Sequence, residues 1–409
     1  MTDVVTDRGR PLDVFVIAGE ESGDQLGAHL MDALGHLAPG TTFRGVGGPR
    51  MTSRGLASRF PMTDIALFGI TSIITHIPKI LRRVRETVDA LAAAPPDVLV
   101  LIDCPGFNRR VGRAIRKIRP DIPVVFYVSP SVWAWRPGRA AEMRPYVDHL
   151  LALLPFEPEI HARLGGPPTT YVGHPISERL HEIRPNAVEQ ARRDADPPRV
   201  LVLPGSRKLE IKRLSPLFAG TLARVRDMVG PMDLVLPAVP HLRGLIESQI
   251  ADWPVKPRIV DTEEEKFEAF RTARAALACS GTVTLELAIA RIPLVVAYRT
   301  GWLEAQIGRR IIITKTAVLA NHILNEQVVP EFLQEYGSVE TVAPPLAAII
   351  KDTPERRAQL EAFARLDAIM AFDGEDPSMR AARVVLDTAA KGRADRPMTL
   401  AISEIANSE

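Results

Sequence analysis

Asp103 is a candidate for proton transfer in this sequence. It follows the apolar run Asp97–Ile102 and begins the segment Asp103–Asn108 (DCPGFN). A carboxyl group that leaves a buried strand is partly desolvated, and desolvation raises its pKa toward neutrality, which suits a general base. The same position would also suit a cap of the following helix, and position alone does not separate the two roles.

Two later segments could bind an anionic ligand. Gly205–Arg207 follows the apolar run Arg199–Leu203; its glycine would let a ligand approach the backbone, and its arginine supplies a forked cation that suits phosphate. Ser280–Thr282 opens a predicted helix whose first N–H groups could hold an anion. Glu286 lies about one turn further on, where its carboxylate could accept the hydroxyls of a ribose. Each segment alone could be an ordinary turn or helix cap, but the two together favour a nucleotide site.

No metal and no organic cofactor is expected. The nine histidines show no ligand spacing, and Asp194 and Asp196 lie in a presumed linker and not at the end of a strand. Cys104 and Cys279 are too few for a disulfide framework or a thiolate metal site, and they suit a reducing compartment. The loop Ala18–Asp24 (AGEESGD) lacks the full G-x-G-x-x-G pattern, so a dinucleotide cofactor is not indicated.

A recurring unit of apolar run, polar loop and amphipathic helix would position these residues. Continuous apolar runs indicate strands buried on both faces, which is typical of parallel sheets between layers of helices. The polar, proline-rich segment Arg184–Pro198 interrupts the pattern, and we interpret it as a hinge. The sequence therefore predicts an α/β fold with two Rossmann-like domains that face each other across a cleft.

Four regions are expected within the 409 residues. Residues 11–185 and 198–353 would form the two Rossmann-like domains. Residues 354–386 would form helices that pack back on the first domain, and residues 387–409 would form a weakly ordered tail.

Composition and charge indicate a globular protein without a membrane span. Apolar residues make up 46% of the chain and charged residues 24%, which is unlike a disordered chain. Fifty-one Lys and Arg against 49 Asp and Glu give a net charge of +2, so no global field favours nucleic acid. No apolar run approaches about 18 residues, and the first ten residues do not resemble a signal peptide. We therefore expect a cytoplasmic protein.

The segment Ile70–Val84 predicts an amphipathic helix with a single apolar stripe. At about 100° per residue its aliphatic side chains fall within roughly 120°, whereas Lys79, Arg82 and Arg83 lie opposite. Pro78 is expected to kink or split the helix. The stripe could face the core or a lipid surface, and the pattern does not decide between them.

Eight motifs in order resemble those of lipid-A-disaccharide synthases, which are glycosyltransferases of the GT-B type. The similarity runs from about Val14 to Leu366. The motifs are AGEESGD (Ala18–Asp24), GVGGPRM (Gly45–Met51), IDCPGFN (Ile102–Asn108), YVSPSVWAWR (Tyr127–Arg136), LPFE (Leu154–Glu157), GHP (Gly173–Pro175), LPGSR (Leu203–Arg207) and SGTVTLE (Ser280–Glu286). The long aromatic motif is the hardest to obtain by chance.

The resemblance implies a reaction, two substrates and a location. A family member would transfer 2,3-diacylglucosamine from UDP-2,3-diacylglucosamine to 2,3-diacylglucosamine 1-phosphate with inversion, giving a β-1,6 disaccharide and UDP. Because both substrates carry acyl chains, the resemblance favours the lipid-facing alternative and a peripheral position at the cytoplasmic face of the inner membrane. A homodimer is one option for its assembly, since the C-terminal helices could exchange between subunits.

The resemblance also implies roles for individual residues. Asp103 would take the proton from the 6-hydroxyl of the acceptor. The expected donor-site residues are Gly205, Ser206, Arg207, Ser280, Gly281, Thr282, Glu286, Lys315 and Asn321. The expected acceptor-side loops contain Ser22, Gly23, Asp24, Ser129, Trp133 and His174. The expected membrane-facing residues are Ile70, Ile73, Ile74, Ile77, Ile80 and Leu81.

The chain departs from the family's pattern at two places. The family often has a second acid where this chain has Gly106, which leaves Asp103 as the only carboxylate of that segment. After Asn321, a Gly-Arg pair of the family is replaced here by Asn325 and Glu326, so an arginine contact to substrate is not expected from that loop.

Two other functions fit part of the pattern. Another GT-B enzyme, such as a UDP-N-acetylglucosamine epimerase or a different hexosaminyltransferase, would keep Arg207 and Glu286 but would need no apolar stripe. A non-catalytic, membrane-docked binder of nucleotide sugars would hold UDP but release none in the presence of acceptor. The carboxylate of Asp103 argues against this second alternative.

Overall fold

The computed structural model describes residues 11–65, 70–371 and 374–392, without the side chains of residues 70–76, 303 and 307. Within these residues the chain forms two compact units. The first unit contains the residues up to Pro175 together with those from Gly374 onward. The second unit contains the residues between these two parts, beginning at Ile176.

A parallel sheet of seven strands forms the centre of the first unit, in the order β3-β2-β1-β4-β5-β6-β7. The strands are β1 (Asp13–Ala18), β2 (Thr42–Val46), β3 (Ala57–Ser58), β4 (Val98–Ile102), β5 (Val124–Tyr127), β6 (His149–Ala152) and β7 (Thr169–Tyr171). The helices between them are α1 (Glu21–Leu37), α2 (Pro49–Thr52), α3 (Ile70–Ala93), α4 (Pro105–Ile118), α5 (Arg139–Met143) and α6 (Glu157–Arg163).

Side chains that alternate along the central strands divide the core of this unit between the two faces of the sheet. On β1, Val14 and Val16 pack on the face that α1 covers, whereas Phe15 and Ile17 pack on the face of α3 and α4. Because both faces are covered, all four side chains are fully buried and the strand reads as a continuous apolar run.

The second unit has a parallel sheet of six strands, in the order β10-β9-β8-β11-β12-β13. The strands are β8 (Arg199–Leu203), β9 (Asp233–Pro237), β10 (Arg258–Val260), β11 (Ala275–Cys279), β12 (Leu294–Tyr298) and β13 (Glu331–Leu333). The helices are α7 (Leu180–Ile183), α8 (Ala187–Asp194), α9 (Lys208–Val229), α10 (Arg243–Ile250), α11 (Glu263–Thr272), α12 (Val283–Ile289), α13 (Trp302–Ile311), α14 (Leu319–Leu324), α15 (Val339–Ile350) and α16 (Pro354–Ile369). These two sheets confirm the expected α/β class.

The last helix, α17 (Pro377–Lys391), returns to the first unit. Its buried residues Ala381, Ala382 and Val385 join the core on the α1 face of the sheet. Of the helices expected to pack back on the first domain, α17 does so, whereas α16 belongs to the second unit.

The unit boundaries also differ from the expected ones. The segment Arg184–Pro198, which we interpreted as a hinge, lies inside the second unit and contains α8. Asn186 caps the amino-terminal end of α8, because its side chain accepts hydrogen bonds from the N–H groups of Val188 and Glu189. Of the expected tail, residues 387–391 continue α17, and residues 393–409 lie outside the described residues.

The predicted apolar stripe on α3 divides between core and surface. Ile80, expected to face the membrane, is only 5% exposed and packs beneath the first sheet, so it is corrected to a core residue. Ile77 and Leu81 are 39% and 44% exposed. The side chains of Ile70, Ile73 and Ile74 lie outside the described residues. Among the described residues, none of the helices combines the length and the hydropathy of a transmembrane segment.

Candidate functional site

Three motif loops of the first unit leave neighbouring strands at the same edge of the sheet. The register pairs Ala18 with Ile102 and Ile102 with Tyr127, so β1, β4 and β5 end side by side. The strand order reverses between β1 and β4, and open α/β sheets bind ligands where their order reverses. Asp103 directly follows β4 at this point.

Asp103 has a left-handed backbone with a φ of +46°, as does Cys104 after it. Two consecutive non-glycine residues in this region are strained, and such strain persists only where the surroundings hold it. The buried amide of Asn108 supplies this support, because its Nδ2 donates to the carbonyl oxygens of Ile102 (3.0 Å) and Asp103 (2.7 Å). Burial raises the pKa of the Asp103 carboxyl above its usual range, although a hydrogen bond from the backbone of Cys104 opposes the shift.

The loops after β1 and β4 pack directly on each other. A Cβ at Gly19 would lie 2.4 Å from Sγ of Cys104, so only glycine fits there. Burial raises the pKa of Cys104 to about 12, which keeps it a neutral thiol. The loop that carries Asp103 is therefore fixed from behind by an inert packing contact.

Asp24 organises a neighbouring loop. Its carboxylate accepts hydrogen bonds from the N–H groups of Gly48 (2.7 Å), Arg50 (2.9 Å) and Met51 (3.1 Å), at the start of α2. This contact joins the AGEESGD and GVGGPRM motifs and occupies both carboxylate oxygens. A Cβ at Gly23 would lie 3.4 Å from Cβ of Ala18, so Gly23 and Asp24 both face other parts of the fold.

The aromatic motif rests on a buried polar network. Glu157, at the start of α6, accepts from the indole Nε1 of Trp133 (3.2 Å) and from the N–H of Leu154 (3.0 Å). Oγ of Ser129 lies 2.9 Å from Nε2 of His161 and also hydrogen-bonds Glu157. Burial raises the pKa of Glu157 to about 7 and lowers the pKa of His161 to about 4. The structure thus brings two predicted residues, Ser129 and Trp133, together.

The remaining two acceptor-loop residues are Ser22, in the same motif as Gly23 and Asp24, and His174. Ser22 is exposed in the first turn of α1. His174 follows β7, and burial lowers its pKa to about 4, so its ring is neutral at physiological pH.

In the second unit, the two predicted donor loops also leave neighbouring strands. Leu203 of β8 pairs with Ala278 of β11, and the strand order reverses between these strands. Gly205 has a φ of +115°, and a Cβ there would lie 2.6 Å from Oε2 of Glu210. That carboxylate accepts from the N–H groups of Ser206 (3.2 Å) and Arg207 (3.3 Å). It also pairs with the guanidinium of Arg207 at 2.9 Å, although the Arg207 side chain is 79% exposed.

The second donor loop is tied to the segment that follows α13. Oγ of Ser280 donates to the carbonyl oxygen of Ala317 (3.0 Å), and Lys315 is exposed two residues before Ala317. Gly281 and Thr282 are exposed ahead of α12, which begins at Val283. Beyond that start, Glu286 pairs with Nζ of Lys266 at 3.3 Å.

Asn321 shapes this loop instead of offering a free amide. It is 2% exposed; its Oδ1 accepts from the N–H groups of Val328 (3.0 Å) and Val329 (2.9 Å). Its Nδ2 donates to the carbonyl oxygen of Val329 at 3.0 Å. If Asn321 bound the UDP-sugar, these hydrogen bonds would have to break. We therefore do not count Asn321 among the ligand-binding residues.

Comparison with known proteins decides the family. The family profile described as "Lipid-A-disaccharide synthetase" matches residues 14–370. The chain is 54% identical over 376 residues to the lipid-A-disaccharide synthase of Nitrobacter hamburgensis, covering 92% of this chain and 95% of that one. It is 52% identical over 379 residues to that of Rhodopseudomonas palustris strain HaA2, covering 92% and 96%. The chain belongs to the lipid-A-disaccharide synthase family. It is therefore a glycosyltransferase of lipid A biosynthesis.

Solved structures with a similar fold support the GT-B architecture of this synthase family member. The kitacinnamycin glycosyltransferase matches with a TM-score of 0.61 at 14% identity, covering 93% of this chain and 99% of that one. The MurG protein of Acinetobacter baumannii matches with a TM-score of 0.55 at 13% identity, covering 92% and 100%.

The two departures from the synthase pattern have visible consequences. Gly106 lies in the first turn of α4, where it leaves Asp103 without a neighbouring acid in its segment. Glu326 forms a double hydrogen bond with Arg365 of α16 at 2.8 and 2.7 Å, so this loop position makes a structural ion pair.

Sequence reasoning missed several residues that shape the candidate site. Glu157 and Glu210 were given no role, although each lies near the start of a helix. The motifs LPFE and LPGSR drew attention to their strands and loops, but a sequence does not show which N–H groups a carboxylate will reach. Asn108 was visible as the last residue of IDCPGFN, and that motif position was its only signal.

Proposed function

We propose that this chain transfers 2,3-diacylglucosamine from UDP-2,3-diacylglucosamine to the 6-hydroxyl of 2,3-diacylglucosamine 1-phosphate. The products would be a β-1,6-linked disaccharide 1-phosphate and UDP, with inversion at the anomeric carbon. The family of the chain supports this substrate pair. The observation that carries the proposed chemistry is the half-buried Asp103 carboxyl at the point where the first sheet reverses its strand order.

Asp103 would act as the general base. A carboxyl group whose pKa is raised by burial holds a proton more strongly than an exposed one, so it is a better acceptor for the proton of a hydroxyl. As the acceptor oxygen bonds to the anomeric carbon, its proton would pass to Asp103. The bond between that carbon and the diphosphate oxygen would break, and UDP would leave with the electron pair.

The second unit would hold the UDP group. The exposed Arg207 guanidinium could exchange Glu210 for the diphosphate, because a forked cation binds phosphate oxygens through two parallel hydrogen bonds. Gly205, Ser206 and the exposed Gly281 and Thr282 lie on loops from adjacent strands. These cations and N–H groups would meet the negative charge that develops on the leaving group.

Glu286 and Lys315 would complete the donor site. The carboxylate of Glu286, which pairs with the ammonium of Lys266, could accept two ribose hydroxyls. Lys315 lies on the segment that Ser280 binds through Ala317, so its charge belongs to the same loop assembly.

The acyl chains of both substrates imply a lipid surface. We propose that Ile77 and Leu81, exposed on α3, contact the cytoplasmic leaflet of the inner membrane, because exposed aliphatic side chains on an amphipathic helix favour the interface. The protein would then be a peripheral membrane protein.

The decisive experiment supplies both acylated substrates and detects disaccharide and UDP by mass spectrometry. In Asp103→Asn, turnover should fall by at least about 10²-fold while UDP affinity is kept. In Arg207→Ala, UDP affinity should fall roughly tenfold or more, since a charge-assisted hydrogen bond is lost. Asp121→Asn, an exposed carboxylate paired with Arg119, is the control for loss of charge. Near-normal turnover of Asp103→Asn would remove Asp103 as the base.

A further inference from the structure

A small pocket lies beside the Asp103 loop, entirely within the first unit. Its volume is about 90 Å³. One wall is the start of α4, at Pro105, Gly106 and Arg109, so the pocket begins two residues after Asp103. The opposite wall comes from α5 and the segment after it, with Arg139, Glu142 and Tyr146.

The pocket carries an excess of positive charge. Arg109 and Arg139 line it, and Arg113 lies next to it, with its guanidinium carbon 5.6 Å from the centre of the Tyr146 ring. Glu142 is the carboxylate that faces them, at 3.4 Å from Arg109 and 3.2 Å from Arg113. Because this single carboxylate is shared at these distances, its negative charge does not balance the combined positive charge of the arginines.

Arg139 is held in place without a carboxylate partner among the described residues. Its guanidinium carbon lies 4.5 Å from the centre of the Trp135 ring, and that of Arg136 lies 5.2 Å from the same ring. Stacking fixes the plane of a guanidinium and leaves its N–H groups at the edge available to a ligand. Burial is the main cause that lowers the pKa of Arg139, and the nearby charges of Arg136 and Arg109 lower it further.

We propose that this pocket binds the phosphate group of the acceptor sugar, with the guanidinium groups of Arg109 and Arg139 as its ligands. The inference rests on the function proposed above and adds the site of one substrate group. In the acceptor, the carbon that bears the phosphate and the carbon that bears the 6-hydroxymethyl group flank the same ring oxygen. A phosphate held in a pocket whose lining begins two residues after Asp103 would thus leave the 6-hydroxyl within one sugar ring of the base.

Phosphate recognition here would also select the acceptor. A phosphate dianion matches two guanidinium forks in charge and geometry, whereas a neutral hydroxyl at the same carbon would leave both cations unpaired. The enzyme would therefore discriminate between the phosphorylated sugar and its dephosphorylated analogue through this pocket.

The first test compares two acceptors, 2,3-diacylglucosamine 1-phosphate and 2,3-diacylglucosamine. For Arg139→Ala and Arg109→Ala, the ratio of kcat/KM between the two acceptors should fall roughly 10- to 100-fold, mainly through KM of the phosphorylated acceptor. KM for the UDP donor should stay within about twofold. Arg139→Lys, which keeps the charge but loses the fork, should recover part of the ratio.

Lys117→Ala is the matched control, since Lys117 is an exposed cation on α4, eight residues beyond Arg109 and so about 12 Å along the helix. It should leave the ratio unchanged. An equal loss of kcat/KM with both acceptors in Arg139→Ala would show that Arg139 only supports the Trp135 loop, and an unchanged ratio would also overturn the proposal.

A second test does not depend on turnover. Wild-type protein and Lys117→Ala are titrated with glucosamine 1-phosphate and with glucosamine, and only the phosphorylated sugar should bind measurably. Arg139→Ala and Arg109→Ala should lose that binding. If the wild type makes no disaccharide but shows this pattern, the proposed function fails and the pocket remains. If it makes disaccharide but all proteins bind both sugars alike, the pocket proposal fails alone.

Discussion

Glu157 shows how a single buried carboxyl can support the candidate site through hydrogen bonds within the protein. It lies under the aromatic motif, and its oxygens bind Trp133 and the chain at Leu154. Its neighbour His161 is also buried and is kept neutral by a lowered pKa of about 4. Burial shifts the two pKa values in opposite directions, so Glu157, and not His161, changes its charge near neutrality. We therefore expect the hydrogen bond from Trp133 to Glu157 to depend on pH.

We predict that Glu157→Gln changes the pH dependence of stability in the first unit. The folded pKa of about 7 lies above the ordinary value of 4.5, so the contribution of Glu157 is fully present below about pH 4.5 and is lost as the pH rises through 7. Relative to Glu157→Gln, the wild type should lose up to about 1.4 kcal/mol of unfolding free energy per pH unit in this window.

Hydrogen exchange of the β5 and β6 amides measures this difference within the first unit. Glu159→Gln, at an exposed position of the same helix, is the control and should follow the wild type. Parallel profiles for the wild type and Glu157→Gln would mean that Glu157 is ionised in the folded state throughout.

Residue roles were the part of the site that sequence predicted least well. Asp103 follows a long apolar run, so its place at the end of a central strand could be predicted. Asp24 and Asn321 lie in equally suggestive loops, yet their polar atoms bind backbone groups of the fold. The sequence predicts which loop carries a side chain. It does not predict which groups that side chain will bind, because these belong to segments distant in the chain.

At the scale of elements, buried strands were predictable and edge strands were not. The apolar run Arg199–Leu203 coincides with β8, and Leu12–Ala18 differs from β1 by one residue. In contrast, β7 and β13 have three half-buried residues each and lie at sheet edges. Such strands need only one covered face, so they lack the continuous apolar run that identifies a central strand.

Helix α3 allows a prediction at this scale, because residues of one apolar stripe lie in different surroundings. Ile77→Ser combined with Leu81→Ser should reduce co-sedimentation with anionic liposomes and change the unfolding free energy by less than about 0.5 kcal/mol. Ile80→Ser should instead destabilise the first unit by roughly 2–5 kcal/mol, because it removes a buried side chain.

The cations of α3 are partly engaged within the fold. Lys79 and Arg83 both pair with Asp64, at 2.5 and 2.6 Å, whereas the side chain of Arg82 is 63% exposed. Arg82→Gln should therefore weaken binding to anionic liposomes more than to neutral ones. Unchanged lipid association in the Ile77 and Leu81 double variant would assign this surface another role.

At the scale of the whole molecule, the first unit depends on a helix from the far end of the sequence. Helix α17 fills the core beside α1 with Ala381, Ala382, Val385 and Leu386. This pairing of distant segments was predicted only in outline, because the hydrophobic pattern of α17 does not specify which sheet it covers.

We predict that Val385→Asp selectively destabilises the first unit. Val385 is fully buried, and an unpaired carboxylate in an apolar core costs several kcal/mol. Hydrogen exchange should accelerate in β1 and β4 but not in β8 and β11. Arg383→Asp, at an exposed position of the same helix, should leave both sheets protected. Faster exchange confined to β8 and β11 would assign α17 to the other unit.

The return of the chain to its first unit also governs the order in which the protein can mature on the ribosome. Residues 176–373 form a contiguous unit, so they can fold as soon as they emerge. The first unit is completed only when residues 377–391 have emerged, and until then the part of α1 that α17 covers stays exposed. The half synthesised second is thus completed first, and the nascent amino-terminal half is the part exposed to chaperones and proteases during translation.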